Sequence, residues 1–263
     1  MEWVTEVGNA RENGVTGTII DKTLASSEHA YTDMRTDDWM FFYADIFVEA
    51  VQYGGRTKLC DTLKDLPDDT PQQSDELVRV MVEYGANEGV NPSDYDSVNV
   101  IADTKVDVNG FARPWTYQYC TEYGFYQTPS HQNQHSMRSD FLRYDYWPKM
   151  CARSYEGLTF GKTEPRPKAQ PTAIDQGGVS IAVNEIFFAN GGEDPWRWVT
   201  QQESKPELGQ VSVLSDCDDC AHCVELYTPS KDDKKELQQT RRQVEDWISK
   251  LLGKSKPEIA FLQ

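Results

Sequence analysis

Two residues toward the C-terminal end have the types and settings of a hydrolytic acid–base couple. Asp194, in GGEDPW, follows a short apolar run and a glycine turn. From there a carboxylate can accept the imidazole N–H of a histidine and keep the catalytic tautomer. His222, in CDDCAHCVELY, lies beyond a second apolar run, where a loop can present the ring as general base and then general acid. The couple needs a hydroxyl to activate. No G-x-S-x-G elbow occurs in the 263 residues.

Each residue also has a plainer reading. Asp194 followed by Pro195 suits a helix cap, because Asp accepts an orphan N–H and proline needs no partner for one. One residue can serve both purposes. His222 stands among Cys217, Cys220 and Cys223, whose spacing allows a small zinc module or a structural histidine held by neighbouring disulfides. Adjacent His222 and Cys223 would reach one ion only through an awkward backbone, and no metal or other cofactor is expected.

The elements around these residues follow from periodicity. Over residues 38–54, Trp39, Phe42, Tyr43, Ile46, Phe47, Ala50 and Val51 recur at helical intervals, and Gly54 and Gly55 supply a C-terminal stop. A second helix is expected over 74–84, with Leu77, Val78 and Met81 inward, after a proline-containing loop at 67–71. The aromatic-rich stretch 115–127, WTYQYCTEYGFYQ, has neither a helical nor a strand period and reads as packed and irregular. Prolines 165, 167 and 171 mark a boundary at 163–176. Beyond it, EIFFA at 185–189 and residues 211–214 are strand candidates. Residues 232–252 carry Leu237, Val244, Ile248 and Leu251 on one helical face, with Trp247 adjoining. Strands and helices in this order suit part of an α/β sheet.

Composition excludes some functions. A formal net charge of −17, from 43 acidic and 26 basic side chains, repels phosphate backbones and anionic lipid surfaces, so neither nucleic acid nor a membrane is an expected partner. Six cysteines favour an oxidising compartment and leave the disulfide pairing open. Yet MEWVTEVGNAREN is polar and does not read as a secretory signal, and no later stretch is long enough to span a membrane. Neither repeats nor a nucleotide-binding glycine fingerprint is present.

Four stretches, in order, resemble the serine carboxypeptidase family that contains prolylcarboxypeptidase, dipeptidyl peptidase II and thymus-specific serine protease: DDWMFFYADIFVEAVQYGGRTKLC, RPWTYQYCTEYGFYQ, IFFANGGEDPW and CAHCVELY. The resemblance runs over residues 38–252 and is to the distal half of the family only. It implies an α/β class, as a partial α/β-hydrolase fold with a mainly helical inserted domain: 1–110 the inserted lid region, 111–176 the substrate cleft and connection, 177–263 the C-terminal part of the hydrolase domain. It also implies Asp194 as triad acid and His222 as triad base, with the serine upstream of Met1.

By the same resemblance Glu122, Gln118 and Trp115 lie near the substrate cleft, Glu122 meeting a substrate amino group; its plainer reading is a paired loop residue. The expected function is a serine-type exopeptidase, of dipeptidyl-peptidase or prolyl-carboxypeptidase kind, acting on peptides, proline-containing ones included, with the nucleophile-bearing half missing. The full-length protein would be lysosomal, vesicular or secreted. A homodimer stays open. The alternatives are a noncatalytic peptide-binding or regulatory remnant and the zinc module.

Overall fold

The structure, a computed structural model, describes residues 2–26, 33–64, 71–130, 136, 138–155 and 175–253. The chain divides into two compact units, one formed by residues 1–48 and 63–175, the other by 49–62 and 176–263. Most of the proline-marked boundary at 163–176 and of the loop at 67–71 lies outside the described residues.

The first unit is helical: α1 (Glu2–Glu12), α2 (Ile19–Ser26), most of α3 (Thr36–Gln52), α5 (Pro71–Asn87), α6 (Ala112–Gln118) and α7 (Tyr146–Ser154), with α4 (Arg56–Leu63) falling almost wholly to the second unit. The core forms because α3 repeats large apolar groups every three or four positions. Trp39, Phe42, Tyr43 and Ile46 are buried, as are Ile20 and Leu24 of α2 and Val78 and Met81 of α5. Phe47 and Val51 are only half-buried. A Cβ on Gly85 of α5 would come within 2.9 Å of Ile46 Cγ1, so that helix contact requires glycine.

Residues 115–127 are more regular than their composition suggests. α6 continues into one π-helical turn, Tyr119–Tyr123, and ends at Gly124 with φ +69°. Cys120 within that turn is joined to Cys151 of α7. The tie and the stacking of Tyr126 on Trp147 at 5.4 Å between centroids are contacts between distant residues, which local periodicity does not report.

A buried polar node sits at the start of α3. Asp38 is fully buried and accepts from Ser97 N–H (3.0 Å), Ser97 Oγ–H (2.6 Å), Tyr146 O–H (3.0 Å) and Arg153 Nη2 (3.3 Å). Burial and the Asp37 carboxylate push its pKa up to about 6, against the pull of Ser97 and Arg153.

The second unit holds the strands. β1 (Phe187–Gly191) and β2 (Val211–Ser215) pair in parallel, Phe187 opposite Val211 and Gly191 opposite Ser215. α8 (Lys235–Leu251) packs on them: Ser215 Oγ and Thr240 Oγ1 are 2.7 Å apart, and Phe187 meets Trp247 edge to face. Leu237 is buried, whereas Ile248 and Leu251 of the expected inward face are exposed.

The expectation of an α/β class with a partial hydrolase sheet is corrected here. The chain is predominantly α-helical, and its sheet among the described residues is one open pair of five-residue strands, not a substantial α/β-hydrolase core. The reason is visible in the chain: FFANG and VSVLS are short apolar runs, while the apolar residues of α3, α5 and α8 recur at helical spacing. Among the described residues no helix is long and apolar enough to cross a membrane.

Asp38 makes the first unit's stability depend on pH with a definite sign. Its folded pKa lies above the ordinary 3.8, so the folded state binds the extra proton, and stability rises as pH falls from above 6 toward 4. Between pH 7 and 4.5 the gain from this group is about 2 kcal/mol. Urea unfolding at both pH values should show that gain in the wild type and its loss in Asp38→Asn.

Candidate active site

β1 delivers the chain into a turn with no room for a side chain. A Cβ on Gly191 would lie 2.2 Å from Ala221 O and 2.8 Å from Cys220 O. The glycine therefore lets the acid turn lie directly against the histidine loop. The contact is sealed by Gly192 N–H to Ser215 O and Glu193 N–H to Cys220 O, both 2.9 Å. Arg197 Nη1 donates back to Gly192 O at 2.9 Å.

Asp194 emerges from this turn and divides its two oxygens. Oδ1 accepts from Trp196 N–H at 2.8 Å, capping the 3-10 turn Pro195–Val199. Oδ2 lies 2.9 Å from His222 Nδ1. The cap and the imidazole contact coexist. The Asp194 side chain is 10% exposed and that of His222 33%, so the carboxylate is shielded while one edge of the ring stays open.

The loop bearing His222 is held on both sides. Before it, Cys217 and Cys220 form a disulfide; after it, Cys223 takes a left-handed conformation with φ +54°. His222 N–H donates to Gln52 O at 2.8 Å, and the Tyr53 ring stands edge to face against the imidazole at 6.3 Å. With Nδ1–H donated to the carboxylate, Nε2 carries a lone pair. Among the described residues Nε2 has no hydrogen-bond partner.

The disulfide consumes two of the sulfurs that a zinc module here would need, and among the described residues no group of three or more potential ligands could hold a metal ion. Cys60 and Cys223 are free and exposed. Burial, with the Glu225 and Asp194 carboxylates, pushes the Cys223 thiol up, which favours the neutral thiol over the thiolate.

A model of the serine carboxypeptidase S28 family matches residues 8–244. The chain belongs to that family. Over 197 residues it is 30% identical to a probable serine protease of Arabidopsis thaliana, covering 73% of this chain and 37% of that protein. Over 164 residues it is 26% identical to the thymus-specific serine protease of Mus musculus, covering 58% and 30%. A third relative, named a probable extracellular serine carboxypeptidase, of Arthroderma benhamiae, is 29% identical over 87 residues, covering 32% of this chain and 11% of that one. The chain thus spans about a third of the length of the first two relatives.

The S28 match corrects two expectations. The resemblance is not confined to residues 38–252 or to a distal half, and the function of a chain whose nucleophile-bearing half is missing falls with it. The matched region begins at residue 8 and takes in almost the whole chain.

Of the residues singled out in the sequence, Asp194 and His222 are brought together. Trp115, Gln118 and Glu122 lie on α6 and the π turn of the first unit, all three exposed. Gln52, Tyr53 and Arg56, which contact the acid turn or the histidine loop, were missed. They fall within the first of the four family stretches, which marked the segment but gave these residues no role.

Gly191→Ala should force the acid turn and the histidine loop apart. Overpacking of this kind costs about 1–3 kcal/mol. The loss should appear in denaturant unfolding followed by tryptophan fluorescence.

Proposed function

We propose that this chain carries the acid–base couple of a serine-type exopeptidase, with Asp194 as the acid and His222 as the base. The observation that carries the reading is the split geometry of the imidazole: Nδ1 is engaged by a shielded carboxylate at 2.9 Å, while Nε2 has no partner among the described residues. In that arrangement Nε2 takes the proton of a serine hydroxyl as it attacks a scissile carbonyl, then returns it to the leaving amine. Asp194 stabilises the imidazolium that forms. Membership of the S28 family supports serine-peptidase chemistry over other uses of an Asp–His pair.

The substrates are peptides, proline-containing ones included. Glu122 recognises a free peptide ammonium, a charge-assisted contact, and Gln118 and Trp115 on the same segment line the peptide. The compartment is lysosomal, vesicular or secretory: the two disulfides fit an oxidising environment, and one relative is named extracellular.

Labelling of the whole chain with a fluorophosphonate probe tests the catalytic reading. A serine, to be located by mass spectrometry because no G-x-S-x-G elbow marks it, should be labelled in the wild type and lose reactivity in His222→Ala, and peptide turnover in Asp194→Asn should drop by about 10⁴-fold. An unlabelled wild type, or labelling that persists without His222, overturns it. Glu122→Gln should raise KM for peptides with a free amino end and leave N-acetylated peptides unchanged.

A further inference from the structure

We propose that residues 52–57, QYGGRT, position the catalytic couple, with Gln52 as the residue that locks the acid turn to the histidine loop. The inference rests on the acid–base reading of Asp194 and His222 and assigns work to a segment that neither the motifs nor the family resemblance marked as functional.

Gln52 ends α3 and touches both sides of the site. Its backbone oxygen accepts His222 N–H at 2.8 Å, and its side-chain Oε1 accepts Trp196 Nε1–H at 2.7 Å. Trp196 is also the residue whose backbone N–H donates to Asp194 Oδ1. A chain of four hydrogen bonds therefore closes on itself: His222 to Gln52, Gln52 to Trp196, Trp196 to Asp194, Asp194 to His222. Gln52 is buried, so water competes weakly for its bonds.

The rest of the segment repeats the arrangement at larger radius. Arg56 donates from Nε to Glu193 Oε2 at 2.8 Å and from Nη2 to Asp218 Oδ1 at 3.0 Å, joining the acid turn to the CDDC loop. Thr57 donates from N and Oγ1 to the two oxygens of Asp219 at 3.2 and 2.8 Å. Gly54, with φ +74°, lets the segment pass so close that a Cβ would lie 2.9 Å from Asp219 O.

A closed ring of bonds matters because both catalytic residues sit on loops. An Nδ1 to Oδ2 contact must be held to within about 0.5 Å to keep the tautomer in place, and a disulfide on one side of His222 fixes only one end of its loop. The Gln52 side chain supplies the remaining constraint from the acid side. Gln52 never meets the reacting atoms; it acts through Trp196 and His222.

The test is solvent exchange of the His222 Nδ1–H proton in the whole, isotope-labelled chain by NMR, with no substrate present. Gln52→Leu and Trp196→Phe each remove one end of the same bond, and each should lower protection of that proton about tenfold, the value of one hydrogen bond. Gln52→Glu keeps an acceptor for Trp196 Nε1–H and should restore it. If Gln52→Leu does not fold, Trp196→Phe carries the measurement. Unchanged protection in Trp196→Phe overturns the inference, as does an equal loss at the backbone amides of β1 and β2, which would make Gln52 a support of the fold alone. A wild type with no protected Nδ1–H removes the couple and the inference together. A protected proton in a chain that no fluorophosphonate labels removes the peptidase reading while leaving the pairing intact.

Discussion

The second unit is organised around one carboxylate that serves two partners at right and left. Asp194 gives one oxygen to the start of its own 3-10 turn and the other to an imidazole far along the chain. Neither bond is unusual alone. Together they make the orientation of the carboxylate a consequence of local backbone structure, so His222 meets an acceptor already aimed at it. The parallel strands bring the two loops out at the same end, since Gly191 and Ser215 are register partners. The glycine turn then removes the last side chain that would keep them apart.

The first unit solves a different problem. It surrounds an apolar helix with other helices and admits the Asp38 carboxylate where four donors reach it. Four donated hydrogen bonds at Asp38 offset a desolvation that still dominates its titration. Asp45 is less well served: it accepts Tyr95 O–H at 3.0 Å and lies 3.5 Å from Arg138, yet among the described residues its Oδ1 and Arg138 Nη1 have no hydrogen-bond partner. Such a pair contributes little net stability, because desolvation consumes most of the attraction.

How much of this could be read from the chain depended on range. The inward face of α3 was legible because Trp39, Phe42, Tyr43 and Ile46 encode it within three turns. The types and local settings of Asp194 and His222 were legible because a carboxylate after a glycine turn has few uses. Sheet size was not, since whether FFANG finds neighbours beyond VSVLS is decided by residues that leave no mark on either run. The π turn at Cys120 escaped for a similar reason: a covalent tie to Cys151 selects it. Gln52 was invisible because its chemistry is ordinary and its position alone gives it meaning.

The Cys217–Cys220 link closes a very small ring, and only Ala221 separates that ring from His222. A cross-link so short removes little entropy from the unfolded chain, so its effect on global unfolding is small beside its effect on the few torsions next to the imidazole. The thiol–disulfide poise of the surroundings thereby becomes a control on how freely a single ring can turn.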